Sequence, residues 1–78
     1  MEKILITGAR SGIISKVIDN IINDYELYLT GHTDSQVRVM KDKYKNYKNV
    51  TCIKLDITNE DDYRKIENID IDIYIANA

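Results

Sequence analysis

Apolar and polar positions follow two rhythms along this 78-residue chain, and they take turns. Ile4-Leu5-Ile6-Thr7 is a short, β-branched-rich run that predicts a first strand over 4–7. Ile13, Ile14, Val17, Ile18, Ile21 and Ile22 then recur at helical spacing and predict an amphipathic helix over 12–23 with one broad apolar face. Asn23-Asp24 breaks that pattern, and Glu26-Leu27-Tyr28-Leu29-Thr30 predicts a second strand that stops at Gly31. Thr33-Asp34-Ser35 offers capping side chains for a second helix, with Val37, Met40, Tyr44 and Tyr47 as its inward stripe and Arg38, Lys41, Lys43, Lys45 and Lys48 on its other faces. Val50 to Leu55 predicts a third strand that ends at Asp56. Thr58 or Asn59 then caps a short helix, with Asp61 or Asp62 at the third position beyond and with Tyr63 and Ile66 facing inward. A fourth strand is predicted over 69–75, where Ile69, Ile71, Ile73 and Ile75 alternate with Asp70, Asp72 and Tyr74.

Strands that alternate with helices predict a parallel sheet, because each helix carries the chain back to the same edge by a right-handed crossover. The fold class is α/β. A Rossmann-type doubly wound sheet would order the strands 3-2-1-4 and open a crevice between strands one and four, at their carboxyl ends, where the winding reverses. The whole chain, 1–78, reads as part of one such domain, with no internal repeat, low-complexity segment or linker. Ligand contacts are then expected at 7–13, 31–35, 56–58 and 76–78, the loops that follow the strands.

Composition narrows the partners. A hydrophobic content of 44% with 31% charged residues is that of a soluble globular chain, and the net charge of −2 argues against nucleic acid or an anionic membrane as partner. Lysines interleaved with tyrosines on the second helix therefore read as a solvated face. Only three consecutive apolar residues follow Glu2 and Lys3, too few for a secretory signal or a membrane span, so the expected location is cytoplasmic. Cys52, the single cysteine, excludes an intrachain disulfide and reads as a packing thiol.

The most specific chemistry lies where the first strand meets the first helix. A helix start leaves backbone N–H groups unpaired and carries partial positive charge, so Gly8 and Gly12, with Arg10, Ser11 and Ile13 between and beside them, suit a phosphate cradle. Gly12 is followed by Ile13-Ile14 and not by Lys-Ser/Thr, which excludes a mononucleotide phosphate loop. The second strand ends Thr30-Gly31-His32 with no acid at its tip, and Asp34 reads more simply as a helix cap. A carboxylate there would hold the ribose hydroxyls of NAD and repel the extra phosphate of NADP, whereas Arg10 and His32 would attract it, so NADP is favoured over NAD. Asp56 either accepts a hydrogen bond from an adenine amino group or merely forms the turn. Asn77 can bind backbone across the switch point, and the small Ala78 leaves room for a ribose.

These segments together resemble the short-chain dehydrogenase/reductase family over the whole chain. Thr7-Gly8-Ala9-Arg10-Ser11-Gly12-Ile13 is similar to its Thr-Gly-x-x-x-Gly-x-Gly cofactor motif, with Ile14 in the place of the third glycine. Leu55-Asp56-Ile57-Thr58 resembles its adenine-contacting segment, and Asp72 to Ala78 resembles the approach to its Asn-Asn-Ala-Gly motif, with Ala76 for the first Asn. The spacing of Gly8 and Gly12 is similar to that of the family's standard subfamily. The resemblance implies a three-layer α/β/α domain in the complete protein and an NAD(P)-dependent oxidoreductase that moves hydride between nicotinamide and a carbonyl or alcohol. It also implies a small-molecule substrate and a homo-oligomer in the full-length form. The family's catalytic tyrosine, lysine and serine lie beyond the fourth strand. Tyr44-Lys48 has the right spacing but sits on the second helix, so the segment is expected to supply only the adenine and pyrophosphate half of the site. The other reading is a non-catalytic NAD(P)-binding or redox-sensing module, which Ile14 and Ala76 would suit. A fourth strand with an open edge further implies that the isolated polypeptide is marginally stable or self-associating.

Overall fold

The computed structural model describes residues 1–8, 12–56 and 58–76. Its elements run β1 (Lys3–Thr7), α1 (Gly12–Ile21), β2 (Glu26–Gly31), α2 (Asp34–Lys43), β3 (Val50–Lys54), α3 (Glu60–Tyr63) and β4 (Ile73–Ala76). The four strands form one parallel sheet in the order β3-β2-β1-β4, as the doubly wound reading requires.

Each face of the sheet has its own core. Ile4 and Ile6 of β1 and Leu27 and Leu29 of β2 pack with Ile14 and Ile18 of α1, Ile22 just beyond it, and Val37, Met40 and Tyr44 of and after α2. The opposite face gathers Leu5, Leu55 and Ile66, with Tyr28, Ile53, Ile69 and Ile71 against them. α1 and α2 thus lie on one side, and the chain from α3 to β4 lies on the other. Leu5, Ile6, Ile18, Leu27 and Leu29 are fully buried, so the two central strands carry the apolar load on both faces.

Several sequence expectations are corrected at element ends. Ile13 does not join the inward face of α1 and is 79% exposed, because the buried line runs Ile14, Ile18, Ile22. Tyr47 is exposed because α2 ends at Lys43; its ring meets the buried Tyr44 edge-on at 6.3 Å. Thr33, not Asp34, caps α2: its hydroxyl accepts from Gln36 N at 3.2 Å. Asn59 caps α3 by accepting from Asp61 N at 2.9 Å, and Tyr63 is exposed because α3 lasts one turn and Ile66 takes the inward position. The fourth strand starts at Ile73, not Ile69. Ile69 and Ile71 instead pack on the core beneath Leu5 while Ile75 packs on the helical side, so one alternating run serves two layers. Asp72 marks the changeover: its N–H donates to Lys3 O and its carboxylate accepts from Lys3 N, each at 2.9 Å.

The two long helices meet the sheet at different heights. A Cβ on Gly31 would lie 3.1 Å from Gln36 Cβ, 3.1 Å from Met40 Cε and 3.3 Å from Val37 Cγ2, so the bare glycine is what lets α2 close on the tip of β2. α1 approaches the strands less closely, with Ile14 buried between them. Adding a methyl at Gly31 sets an overpacking cost of about 1–3 kcal/mol against an unfolded-state gain of about 0.4–1 kcal/mol. Gln36 Cβ cannot retreat without moving the helix, so the cost prevails. Gly31→Ala is expected to destabilise the fold by about 1 kcal/mol, read as a lower midpoint in urea denaturation.

Candidate functional site

The sheet order reverses between β1 and β4, with α1 leaving on one face and the chain into β4 arriving from the other. Thr7 and Ala76 are register partners there, and Gly31 and Lys54 are partners at the tips of β2 and β3. The carboxyl ends of all four strands therefore share one rim. Gly8 follows β1 with φ of 65°, in the left-handed region that glycine enters without strain. Gly12 opens α1, and a Cβ built on it would meet nothing within 4 Å among the described residues. Ile13 stands exposed beside it. Gly31 is a glycine for the sake of its helix; packing makes no such demand at Gly12.

His32 follows β2, exposed, and its N–H donates to Gln36 Oε1 at 2.7 Å. Asp34 lies in the first turn of α2, where the helix dipole favours its charge, and its Oδ1 is 3.8 Å from Lys54 Nζ. Asp56 follows β3 and forms the turn: its Oδ1 accepts from Thr58 N at 2.9 Å and from Thr58 Oγ1 at 2.6 Å. These bonds hold the Asp56 carboxyl below its ordinary value of 3.8, and His32 adds a smaller pull in the same direction. His32 and Asp56 are thus brought to the same part of the rim. Arg10, Ser11, Ile57, Asn77 and Ala78 lie outside the described residues.

Sequence reading missed three side chains at this rim. Lys54 faces Asp34, a pairing that parallel register between the tips of β2 and β3 produces and that no local pattern signals. Asp62 Oδ2 accepts from Asp56 N at 2.7 Å, and Lys65 Nζ donates to Lys54 O at 2.9 Å. Asp62 had been expected at most as a capping-box acid, and its carboxylate turns instead to the loop before the helix. That backbone bond and the Lys65 ammonium keep the Asp62 carboxyl below its ordinary value.

Elsewhere the chain is quieter. Cys52 is half-buried against the helical core, and burial pushes its thiol up. It lines a depression of about 350 Å³ with Lys41, Tyr44, Lys45, Tyr47, Val50 and Thr51, which starts at the amino end of β3, away from the rim. Among the described residues no cluster of His, Cys, Asp and Glu could hold a metal, and no helix is long and apolar enough to cross a membrane.

Comparison with known proteins fits this geometry. No family model matches the sequence, and no curated protein matches it. Solved structures do match. Gre2 from Candida albicans superposes with a TM-score of 0.82 at 15% identity, over 100% of this chain and 24% of its own. Yeast methylglyoxal/isovaleraldehyde reductase Gre2, solved in complex with NADPH, gives 0.79 at 17% identity, over 97% of this chain and 24% of its own. A protein assigned as a 3-oxoacyl-reductase from Bacillus thuringiensis gives 0.75 at 26% identity, over 100% of this chain and 35% of its own. The fold is that of the short-chain dehydrogenase/reductase Rossmann domain. The chain spans well under half the length of each of these neighbours. In this short-chain reductase fold the rim residues above occupy the carboxyl end of the sheet, the end at which such sheets take ligands.

The Asp56 turn makes a pH-dependent contribution to that rim. Both carboxyls favour ionisation in the folded chain, so their stabilisation is fully present above about pH 4, the unfolded carboxylate range, and is lost as pH falls through the lower folded values. The urea midpoint is expected to fall between pH 5 and 2.5, and to fall less steeply in Asp56→Asn and Asp62→Asn than in the wild type.

Proposed function

We propose that this chain is the adenine- and pyrophosphate-binding part, residues 1–78, of an NAD(P)-dependent oxidoreductase of the short-chain dehydrogenase/reductase type. The observation that carries the reading is the contrast between the glycines. Gly8 has a left-handed backbone, and a Cβ on Gly12 would meet nothing within 4 Å among the described residues at the start of a helix, where a pyrophosphate would need the room. The N-terminus of α1, with Arg10, Ser11 and Ile13, would take the pyrophosphate. Asp56 and Ile57 would meet the adenine, Asn77 would bind backbone across the switch point, and the small Ala78 would leave room for a ribose. A bound nicotinamide would supply or accept the hydride; carbonyl or alcohol substrates, and any partner copies, belong to the full-length protein.

NADP is the preferred cofactor in this reading. Asp34, the acid nearest the tip of β2, already faces the Lys54 ammonium, so the rim near a 2′-phosphate is not dominated by negative charge. Arg10 and His32 would add to the attraction. The NADPH complex of yeast Gre2, which has this fold, supports the same choice.

The test is fluorescence titration of the full-length protein with NADPH and NADH, in the wild type and in Gly12→Ala. NADPH is expected to bind more tightly than NADH; the reverse order would remove the roles given to Arg10 and His32. Gly12→Ala is expected to keep or slightly raise stability, by up to about 1 kcal/mol for a helical position. It should weaken both nucleotides about tenfold or more by filling the approach to the cradle. Unchanged affinity would make Gly12 an ordinary turn residue and sink the reading.

A further inference from the structure

Asp62 and Lys65 follow the Asp56 turn in the chain, and both reach back to the loop that presents Asp56. Asp62 accepts from Asp56 N through Oδ2 at 2.7 Å, while its Oδ1 lies 3.1 Å from Lys65 Nζ. The same Lys65 ammonium donates to Lys54 O at 2.9 Å, so the last residue of β3 and the first of the turn are tied together by one acid and one base. The Asp62 side chain is only 14% exposed, which makes the carboxylate a stronger partner than a surface acid would be.

The turn does not need this clamp in order to close. Asn59 N already donates to Asp56 O at 3.0 Å, and both Thr58 bonds already hold Asp56 Oδ1. Nor does α3 use it. With Asn59 as cap, Asp62 occupies the third helical position, from which a capping-box acid turns back to the cap's own N–H. That N–H is committed to Asp56 O, and the Asp62 carboxylate goes to Asp56 N instead. The effect is to fix Asp56 at its backbone and at one carboxylate oxygen simultaneously, while Oδ2 takes no hydrogen bond among the described residues.

We infer that Asp62 and Lys65 are positioning residues that aim the Asp56 carboxylate at the amino group of the cofactor's adenine, so that the clamp sets the base selectivity of the site. This inference rests on the dinucleotide reading above. A carboxylate aimed at an amino group accepts a charge-assisted hydrogen bond; aimed at a carbonyl oxygen it is repelled. A merely structural clamp would weaken all nucleotides alike, whereas a positioning clamp changes the ratio between bases.

The experiment compares NADPH with its hypoxanthine counterpart, in which a carbonyl replaces the amino group, by fluorescence titration of the full-length protein. The wild type is expected to favour NADPH about tenfold, the worth of one hydrogen bond to a charged group. Asp62→Ala should bring the two to within about twofold, and Lys65→Met to an intermediate ratio. Asp62→Asn should retain most of the selectivity, since its amide oxygen still accepts from Asp56 N. Full selectivity in both Asp62→Ala and Lys65→Met overturns the inference and leaves the dinucleotide reading standing. Should Asp62→Ala fail to fold, the ratio in Lys65→Met decides alone. Equal binding of the two nucleotides by the wild type overturns the adenine role of Asp56 and the clamp with it, and a wild type that binds neither overturns the dinucleotide reading itself.

Discussion

Everything in this chain depends on β1 being buried on both faces at once. Ile4 and Ile6 turn to one layer and Leu5 to the other, and all three are excluded from water. A parallel strand in that position needs a neighbour on each edge and a cover on each face. The connections satisfy this by sending α1 and α2 to one side and the chain through α3 to the other. The reversal of winding between β1 and β4 follows from that demand.

The rim is then assembled from parts with different jobs. Gly31 has no side chain because Gln36, Val37 and Met40 occupy its space, while among the described residues the space over Gly12 is open. Asp56 is at once a turn former and a half-buried acid whose backbone and carboxylate are both held. Such overdetermination is costly to build into a loop, because every fixed rotamer gives up entropy.

Much of this was legible in the residue pattern. The order of elements follows from period and punctuation, since those signals are local; the parallel sheet and its strand order follow from the crossover and doubly wound rules, and the inner stripes hold at Ile14, Ile18, Ile22, Val37, Met40 and Tyr44 but not at Ile13 or Tyr47. What failed was local too, but ambiguous. The isoleucines at 69, 71, 73 and 75 have perfect strand alternation, and only the packing reveals that the first two belong beneath Leu5 and that the strand starts at Ile73. Tyr47 keeps helical spacing past the end of α2, and Tyr63 closes the single turn of α3, which is too short for the period to govern direction. The rim pairs were illegible for a plainer reason. Lys54 with Asp34, and Lys65 with Lys54, join residues from different elements, and their proximity is a product of register, which a single sequence does not announce.

Gly31 has one more consequence. Because a single missing methyl fixes how far α2 descends onto β2, the segment from His32 to Gln36 is held at both ends: by the last strand pairing behind it and by the Thr33 cap ahead. Within it, the Thr33 hydroxyl and the Gln36 side chain supply the anchorage themselves. The exposed side chains of His32, Asp34 and Ser35 make none of these anchoring bonds, so under the proposed function this short stretch is where nucleotide preference would change while the sheet beneath stays the same.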